Sequence, residues 1–363
     1  MNMIGHEKNS TVSIKKFNYS NIDLKSLLSP MGGIQKYVKL DERVLIKVNL
    51  LNASIPEKAV VTHPNLIKAV IKEVREVGGI PYIGDSPSGQ FSKRRLDKVY
   101  ERAGLIKLAN ELDVELNYNT SSKKMNIPRG KLLKKVPICD FVSDADKIIA
   151  LPKLKTHSFM IMTLATKIMY GAVPGLTKGR YHAQFYKKDS FADMLLDILS
   201  ITQPDLIIMD GIIGMEGDGP FSGKPIELNL LLASENSVAI DLAICKILDI
   251  NPIGIPTLKK ANVRKLWPTK INYPILKPKD VEYNGFKLPS TAGYILTGKK
   301  TPVKSPKPQD NCTGCGECVE ICPTNAIKII SKKVSIDYSK CIRCFCCHEV
   351  CTESAIKLVV IKK

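Results

Sequence analysis

The sequence contains no apolar run long enough to cross a membrane. No stretch approaches the roughly 18 consecutive apolar residues of a spanning helix, and no basic start followed by an apolar segment indicates a secretory leader. We therefore expect a soluble, cytoplasmic protein without membrane contact.

Acidic residues are scarce relative to basic ones. The 54 Lys and Arg stand against 35 Asp and Glu, which gives a formal net charge of +19. Such a charge attracts nucleic acid, acidic electron-transfer proteins or anionic small molecules. Long basic blocks and basic residues interleaved with aromatics are absent, and aromatics make up only 6% of the chain. We therefore do not expect nucleic acid as a partner, and we interpret the charge mainly as a lysine-rich solvated surface.

Several cofactor and catalytic motifs are also missing. No G-x-G-x-x-G follows a strand pattern, so a nicotinamide cofactor is not indicated, and no nucleophile-elbow serine is present. The glycine-rich stretch 210–219 carries Asp210, Glu216 and Asp218, but its spacing matches neither an EF-hand nor a phosphate loop. It is either a divalent-cation site or a tight turn, and the second interpretation is favoured.

Cysteine, in contrast, is concentrated near the C-terminal end. Two runs, 312–322 and 341–351, each follow the pattern C-x2-C-x2-C-x3-C, which is typical of two [4Fe–4S] clusters. In each run the first three thiolates, separated by two intervening residues, bind three corners of one cluster. The fourth thiolate of the run, which a turn holds away, binds the other cluster. The spacing predicts one cluster on Cys312, Cys315, Cys318 and Cys351 and a second on Cys341, Cys344, Cys347 and Cys322.

The two cysteine runs belong to a longer internal repeat. Pro-Thr-Asn-Ala-Ile-Lys-Ile completes the first copy and Thr-Glu-Ser-Ala-Ile-Lys-Leu the second, so a pseudo-twofold module is predicted. Zinc sites rarely use triple C-x2-C units, and disulfides need an oxidising compartment, so neither alternative is favoured. Thr352 replaces the proline of the first copy without removing a ligand. Cys346 is either an alternative ligand or a small buried residue, and we favour the second interpretation.

About 300 residues precede this module, enough to bury a sizeable core. A strand at 44–50, an amphipathic helix that begins after His63 and a strand at 80–84 predict a parallel pair with a right-handed crossover. Five strand–helix alternations indicate the α/β class. We expect an open, mostly parallel sheet with flanking helices over residues 1–300 and a small α+β two-cluster ferredoxin-like domain over residues 301–363, joined by a stiff, proline-rich linker at 301–308.

Reduced thiols beside solvent-sensitive clusters have a further implication for the compartment. The three cysteines outside the two patterns have no partner that the sequence specifies. A reducing and anaerobic cytosol is therefore expected. These three residues are Cys139, Cys245 and Cys346.

Open α/β sheets bind ligands at the carboxyl ends of their strands. A turn at 153–157, a helix at 159–170 and a glycine-rich loop at 171–182 carry cationic and histidine side chains that we expect at this edge. They form either a pocket for a carboxylate or phosphate, or merely solvated loops. The predicted catalytic residues are His157, Asp85 and Lys167, with His157 or Asp85 as proton donor, and the predicted ligand-binding residues are Lys155, Arg180 and His182.

Six phrases of the sequence are distinctive. They are Lys47-Val-Asn, Thr62-His-Pro, Gly84-Asp-Ser-Pro, Leu151-Pro-Lys-Leu-Lys-Thr-His, Val173-Pro-Gly and Asp210-Gly-Ile-Ile-Gly-Met-Glu-Gly-Asp-Gly-Pro. Together they resemble the domain-of-unknown-function family 362, over nearly the whole chain. The resemblance implies an uncharacterised iron–sulfur protein fused to a ferredoxin module, and it implies no assigned reaction.

A fainter resemblance is to nickel-pincer lactate racemases. The segment Thr62-His-Pro, followed by His157, Lys167 and His182, stands in an order similar to that family's pocket residues. The resemblance implies a hydride-transfer isomerase. At the place of that family's Gly-Thr-His turn this chain has Asp85-Ser-Pro.

These observations predict a low-potential iron–sulfur redox protein. Electrons from a soluble partner protein pass through two [4Fe–4S] clusters to an anionic substrate or cofactor in the α/β domain, as in a ferredoxin-linked oxidoreductase. The alternative is a non-catalytic electron-transfer or cluster-delivery subunit that docks a partner protein. RNA binding with redox modification of a base is a third interpretation, which rests on charge alone.

Overall fold

A computed structural model describes residues 9–293 and 303–360. Its strands, in chain order, are β1 (Asn9–Thr11), β2 (Ser13–Lys16), β3 (Arg43–Lys47), β4 (Ile80–Gly84), β5 (Glu115–Leu116), β6 (Ser122–Asn126), β7 (Lys135–Cys139), β8 (Lys147–Ala150), β9 (Lys153–His157), β10 (Ile161–Met162), β11 (Leu206–Glu216), β12 (Lys224–Ser234), β13 (Lys270–Asn272), β14 (Lys304–Pro308), β15 (Ile327–Ile330), β16 (Lys333–Ile336) and β17 (Ile356–Val360).

The α-helices are α1 (Leu24–Leu28), α2 (Pro64–Glu76), α3 (Lys93–Arg102), α4 (Leu105–Leu112), α5 (Asp140–Ser143), α6 (Gly175–Gln184), α7 (Lys188–Thr202), α8 (Ser237–Ile247), α9 (Pro256–Val263), α10 (Glu317–Ile321) and α11 (Cys346–Val350). Short 3-10 segments lie at Ser29–Met31, Ile34–Lys36, Pro56–Lys58, Ala165–Ala172, Pro252–Gly254 and Pro278–Val281. Within 9–293 and 303–360, no helix is both long and apolar enough to span a bilayer.

Nine strands form one sheet. β5, β4, β3, β8 and β11 are parallel neighbours, β9 continues alongside β11 after Pro152, and β12, β2 and β10 are antiparallel additions. Alternate residues of β3 enter different cores: Leu45 packs with the core of α7–α9, and Ile46 with that of α1–α4. The expected α/β class, with a mostly parallel sheet between helices, is confirmed.

Helix α2 begins where the sequence predicts. Pro64 occupies the first helical position, and the Nδ1 atom of His63 accepts a hydrogen bond from the Asn65 amide at 3.1 Å. His63 therefore caps the helix. The basic stretch 123–135 lies in an antiparallel hairpin that β6 and β7 form.

Several local predictions around the expected ligand edge are wrong. The turn at 153–157 is strand β9, the loop at 171–182 largely belongs to helix α6, and the helix at 159–170 is replaced by β10 and a 3-10 segment. The glycines of α6 serve close packing instead of a loop: a Cβ on Gly175 would lie 2.0 Å from the Gly89 carbonyl oxygen. Strand β11 also continues through most of the glycine-rich stretch 210–219.

The cysteine-rich part, residues 303–360, is hereafter called the cysteine module. Strand β14 pairs with β17, and β15 with β16, both antiparallel. Residues 304–308 therefore form a strand and not the expected linker. Residues 301 and 302, with the 300/301 boundary, lie outside the described residues. The prolines are tolerated because β14 has a strand on one side only.

The internal repeat is present in the backbone. Gly314 and Gly316 have φ of +70° and +86°, and the corresponding residues of the second copy, Arg343 and Phe345, have φ of +56° and +65°. The left-handed region is costly for residues other than glycine. The second copy nevertheless keeps the same chain path around its cysteines.

Candidate functional site

Strand β9 presents three ionisable side chains on one face. Lys153, Lys155 and His157 alternate along the strand, so they point to the same side, and none is more than 1% exposed. Buried charges and histidines need polar partners, because burial without them is expensive. The partners of these three residues define the site.

Lys153 belongs to a closed ion-pair group. Its Nζ atom lies 3.0 Å from Asp210 Oδ2 and 2.8 Å from the Tyr19 hydroxyl, which donates to Asp210 Oδ1 at 2.7 Å. Asp210 Oδ2 also accepts from the His63 amide. Glu216 accepts from the Lys287 amide. These carboxylates anchor neighbouring segments.

No cation site emerges at the glycine-rich stretch. Asp218, its third carboxylate, accepts from the amide and the hydroxyl of Ser290 at 2.7 and 2.5 Å. Among the residues that the structure describes, no three His, Cys, Asp or Glu side chains form a group that could hold a single metal ion.

Asp85 lies in a second buried ion pair. Its Oδ1 atom is 2.7 Å from Lys47 Nζ, its Oδ2 atom accepts from the Leu50 amide at 2.5 Å, and the Ser86 amide donates to Oδ1 at 2.8 Å. A Cβ on Gly171 would lie 2.2 Å from Asp85 Oδ1. The carboxylate is thus fully engaged, and it does not line the cavity described next.

A polar cavity of about 40 Å³ lies where the α/β part meets the cysteine module. Its polar lining comes from both parts, and the rest of the lining is backbone or apolar. The residues, hereafter the polar cavity, are Leu51, Ser88, Lys167, Tyr170, Lys178, Gly179, His182, Ile321, Cys346, Glu349 and Val350.

His157 contacts this cavity through Glu349. Its Nδ1 atom accepts from the Phe159 amide at 3.1 Å, so the ring proton resides on Nε2. That atom lies 3.4 Å from Glu349 Oε1. Neither atom has a closer hydrogen-bond partner among the described residues. The two groups therefore lie in contact without the geometry of a hydrogen bond.

Two further cavity groups have unused polar atoms. The Lys167 ammonium lies 5.6 Å from the Tyr170 ring centroid, and it makes no hydrogen bond or ion pair with any residue described. His182 is 4% exposed and packs 4.4 Å from the Phe191 ring, and its Nδ1 atom is without a partner in the described part of the chain. A donor or acceptor held in this way is available to a ligand.

Burial shifts the pKa values of these groups. It lowers the pKa of His182 to about 3, with the nearby Lys167 charge acting in the same direction. Burial and Lys167 also lower the pKa of Lys155 to about 7, and burial lowers the pKa of Lys178 to about 8. His182 is therefore neutral at neutral pH, and the lysine ammoniums gain from an anion beside them.

The predicted site residues separate into two sets. His157, Lys167 and His182 converge on the polar cavity, and Lys155 lies beside them with its ammonium donating to the Val60 carbonyl oxygen at 2.6 Å. Arg180 is exposed on α6 and is not brought into the cavity, and neither is Asp85.

The sequence predictions missed Glu349. The residue lies between two cysteines of the second run, where an acidic side chain would be expected to face solvent. Glu349 is only 5% exposed, and its place among cysteine, histidine and apolar residues in 344–351 is the sequence signal that could have identified it. Lys178, which donates to the Ser86 carbonyl oxygen and to its hydroxyl, was not selected either.

The eight repeat cysteines surround two cavities. The first, called cavity I, is lined by Cys312, Cys315, Cys318 and Cys351, and the second, cavity II, is lined by Cys322, Cys341, Cys344 and Cys347, with Cys346 also at its wall. This grouping is the one that the spacing predicts, with each fourth cysteine lining the cavity of the other run.

The residues at these cavities fit an iron–sulfur cluster. Each cavity has the four thiols of its predicted ligand set. The sulfur of the fourth cysteine in each run accepts a backbone hydrogen bond at 3.3 Å: Ala326 N donates to Cys322 Sγ, and Ala355 N donates to Cys351 Sγ. Hydrogen bonds to the sulfurs tune cluster potentials. Four cysteine ligands and backbone amides that donate to their sulfurs match the requirements of a [4Fe–4S] cluster.

Helix α11 joins cavity II to the polar cavity. It contributes Cys347 to cavity II, Glu349 and Val350 to the polar cavity, and Cys346 to both. The Glu349 carbonyl accepts from the Asn52 side-chain amide at 3.0 Å, which ties the helix to the α/β part. The two cavities therefore lie on either side of this helix and share Cys346 as a lining residue.

Comparison with known proteins agrees with this geometry. Residues 307–328 match the 4Fe-4S binding domain, so the chain is an iron–sulfur electron-transfer protein. Residues 44–246, more than half of the chain, match the domain of unknown function DUF362. The chain belongs to this family, as its phrases suggested. It is also similar to a thylakoid-associated protein of Synechocystis sp., with 37% identity over 291 residues, 78% of this chain and 87% of the relative.

Proposed function

We propose that this protein carries two [4Fe–4S] clusters and relays single electrons through them to a small anion bound in the polar cavity. The observation that supports the relay is helix α11, which supplies a cysteine to cavity II and a wall to the polar cavity. An electron on the second cluster would have to cross only this wall.

The exposure of the cysteines supports a direction for the relay. Each cavity has one buried ligand, Cys318 or Cys347, both 6% exposed, but only cavity I has an exposed one, Cys315, whereas the other three ligands of cavity II are partly buried. The first cluster is thus the accessible one, and the second faces the protein interior. Electrons enter at the first cluster from a partner protein in the cytoplasm and leave from the second.

The cavity's size and lining define the class of substrate. A volume of about 40 Å³ holds a few water-sized groups and excludes a nucleotide. Lys167 provides an ammonium that forms no close ion pair with the described residues, although the Glu349 carboxylate of the same cavity acts on it, and His182 Nδ1 provides an unused polar atom. A carboxylate or oxyanion of a few non-hydrogen atoms meets both requirements.

The residues have distinct roles in this proposal. Lys167 binds the anion, and His182, neutral because its pKa is near 3, accepts or donates a hydrogen bond. His157 is a positioning residue that lies in contact with Glu349. The clusters, when bound, supply single electrons.

The number of clusters is tested first. Anaerobically purified protein is expected to contain about eight irons and eight acid-labile sulfides per chain. Cys347→Ser should lose about half of the iron, whereas the matched variant Cys346→Ser should retain all of it. A wild-type content near four irons, or zinc in place of iron, would overturn the two-cluster relay.

Anion binding is tested on the intact, reduced protein. Formate, bicarbonate, nitrite and acetate are added singly, and the electron paramagnetic resonance spectrum of the clusters is recorded. At least one anion should perturb one cluster signal, and Lys167→Met should abolish the perturbation. Arg180→Met, which removes an exposed charge from neighbouring helix α6, is the control. If no anion acts, a non-catalytic electron-transfer subunit is the better description.

A further inference from the structure

The β15–β16 hairpin of the cysteine module exposes apolar and cationic side chains together. Ile329 and Ile330 are 42% and 60% exposed. Lys328 and Lys332 are exposed beside them, and no ion pair is formed by either lysine within the residues described. An apolar centre with a rim of one charge sign is the composition of a transient protein interface.

This hairpin lies against the first cysteine run. A Cβ on Gly314 would be 2.6 Å from the Lys332 carbonyl oxygen, and one on Gly316 would be 3.8 Å from the Ile329 side chain. Val334 of β16 lines cavity I, next to the exposed Cys315. A protein bound at the hairpin tip would therefore lie close to the accessible cluster.

The tip is held in one conformation at a local cost. Ser331 and Lys332 have φ of +49° and +60°, so the tight turn places two residues other than glycine in the left-handed region. Glycine or asparagine is strongly preferred there. The Lys333 ammonium stabilises the arrangement by donating to the carbonyl oxygens of Asp310 and Cys312. A two-residue hairpin turn of this kind requires a positive φ at both central residues, so the tip has a defined backbone conformation.

We propose that the hairpin tip, Lys328–Lys332, is the docking site of an acidic electron-donor protein that reduces the first cluster. The partner presents a carboxylate-rich patch around its own redox centre. Charge complementarity of this kind raises the rate of encounter and fixes orientation. This inference rests on the proposed relay, because it assigns the point at which electrons enter it.

The test measures reduction of the holoprotein by a pre-reduced acidic ferredoxin in stopped-flow absorbance. Lys328→Glu/Lys332→Glu should lower the second-order rate constant about tenfold or more at low ionic strength, and should remove most of its salt dependence. The control, Lys124→Glu/Lys135→Glu on hairpin β6–β7, changes the net charge equally and should leave the rate within about twofold.

Reduction by dithionite and iron content separate this inference from the relay itself. Both should be unchanged in the Lys328→Glu/Lys332→Glu variant. Should the variant lose iron, Lys328→Gln/Lys332→Gln replaces it, with an expected decrease of about threefold. Equal rates for the hairpin variant and the control would overturn the docking site while leaving the relay intact, whereas failure of dithionite to reduce the wild-type clusters would contradict the relay.

Discussion

The Lys47–Asp85 pair gives a prediction that separates a structural from a catalytic role for Asp85. The two side chains are 0% and 3% exposed and lie 2.7 Å apart. Asp85→Ala leaves the Lys47 ammonium buried without its counterion and removes the acceptor of the Leu50 and Ser86 amides. Removing one partner of a buried ion pair costs about 3–5 kcal/mol of unfolding free energy.

A second variant tests whether the charge is responsible. Lys47→Met/Asp85→Asn removes both charges and keeps one side-chain oxygen as an acceptor, so it should cost less than Asp85→Ala. Because the two residues are in contact, the loss of unfolding free energy in the double variant should differ from the sum of the losses in the two single variants.

Anaerobic urea unfolding provides the assay for these variants. Trp267, the one tryptophan of the chain, reports on the α/β part through fluorescence, and its indole nitrogen donates to the Leu258 carbonyl oxygen at 2.9 Å. Visible absorbance reports on the clusters separately. A cost below about 1 kcal/mol for Asp85→Ala, combined with loss of turnover or of anion binding, would refute the structural role.

Two other predictions concern the polar cavity. His182 has a pKa of about 3 in the folded protein, against an ordinary value of 6.5. Below pH 6.5 this histidine therefore binds a proton in the unfolded chain but not in the folded one, and the free energy of unfolding decreases as the pH falls. His182→Phe should remove about 1 kcal/mol of the loss between pH 7.5 and 5.5 in urea titrations; an unchanged difference would contradict this. Gly179→Leu should weaken the packing of the cysteine module against α6, because even a Cβ at this position would lie 3.0 Å from the Ile321 carbonyl oxygen. The rate of amide hydrogen exchange in α10 should rise in this variant and should not change in the control variant Arg180→Leu.

Patterns with short range were readable from the sequence. The apolar periodicity of 64–77, with Pro64 at its start, predicted α2, and the repeat spacing predicted which cysteines surround each cavity. The buried run at 44–50 predicted β3, although the strand ends at Lys47. In these cases the local signal and the tertiary environment agree.

The errors arose where tertiary packing overrides local preference. Lys153, Lys155 and His157 resemble a polar turn, but each is buried in β9 with a specific partner supplied by a distant segment. Gly175 and Gly179 resemble loop residues, but they allow close backbone approach by Gly89 and Ile321. The two residues of each of these contacts are far apart in the sequence, so no local pattern shows them together. Glu349 was missed for the same reason, because its contacts come from the distant α/β part.

A redox titration of the reduced clusters, followed by electron paramagnetic resonance, tests the central claim most directly. Lys167→Met removes a positive charge from the polar cavity that shares helix α11 with cavity II. Because a positive charge favours the reduced cluster, one of the two potentials should fall by on the order of tens of millivolts, with the other unchanged. Two unchanged potentials, or equal shifts in both, would contradict the claim that the second cluster faces the polar cavity.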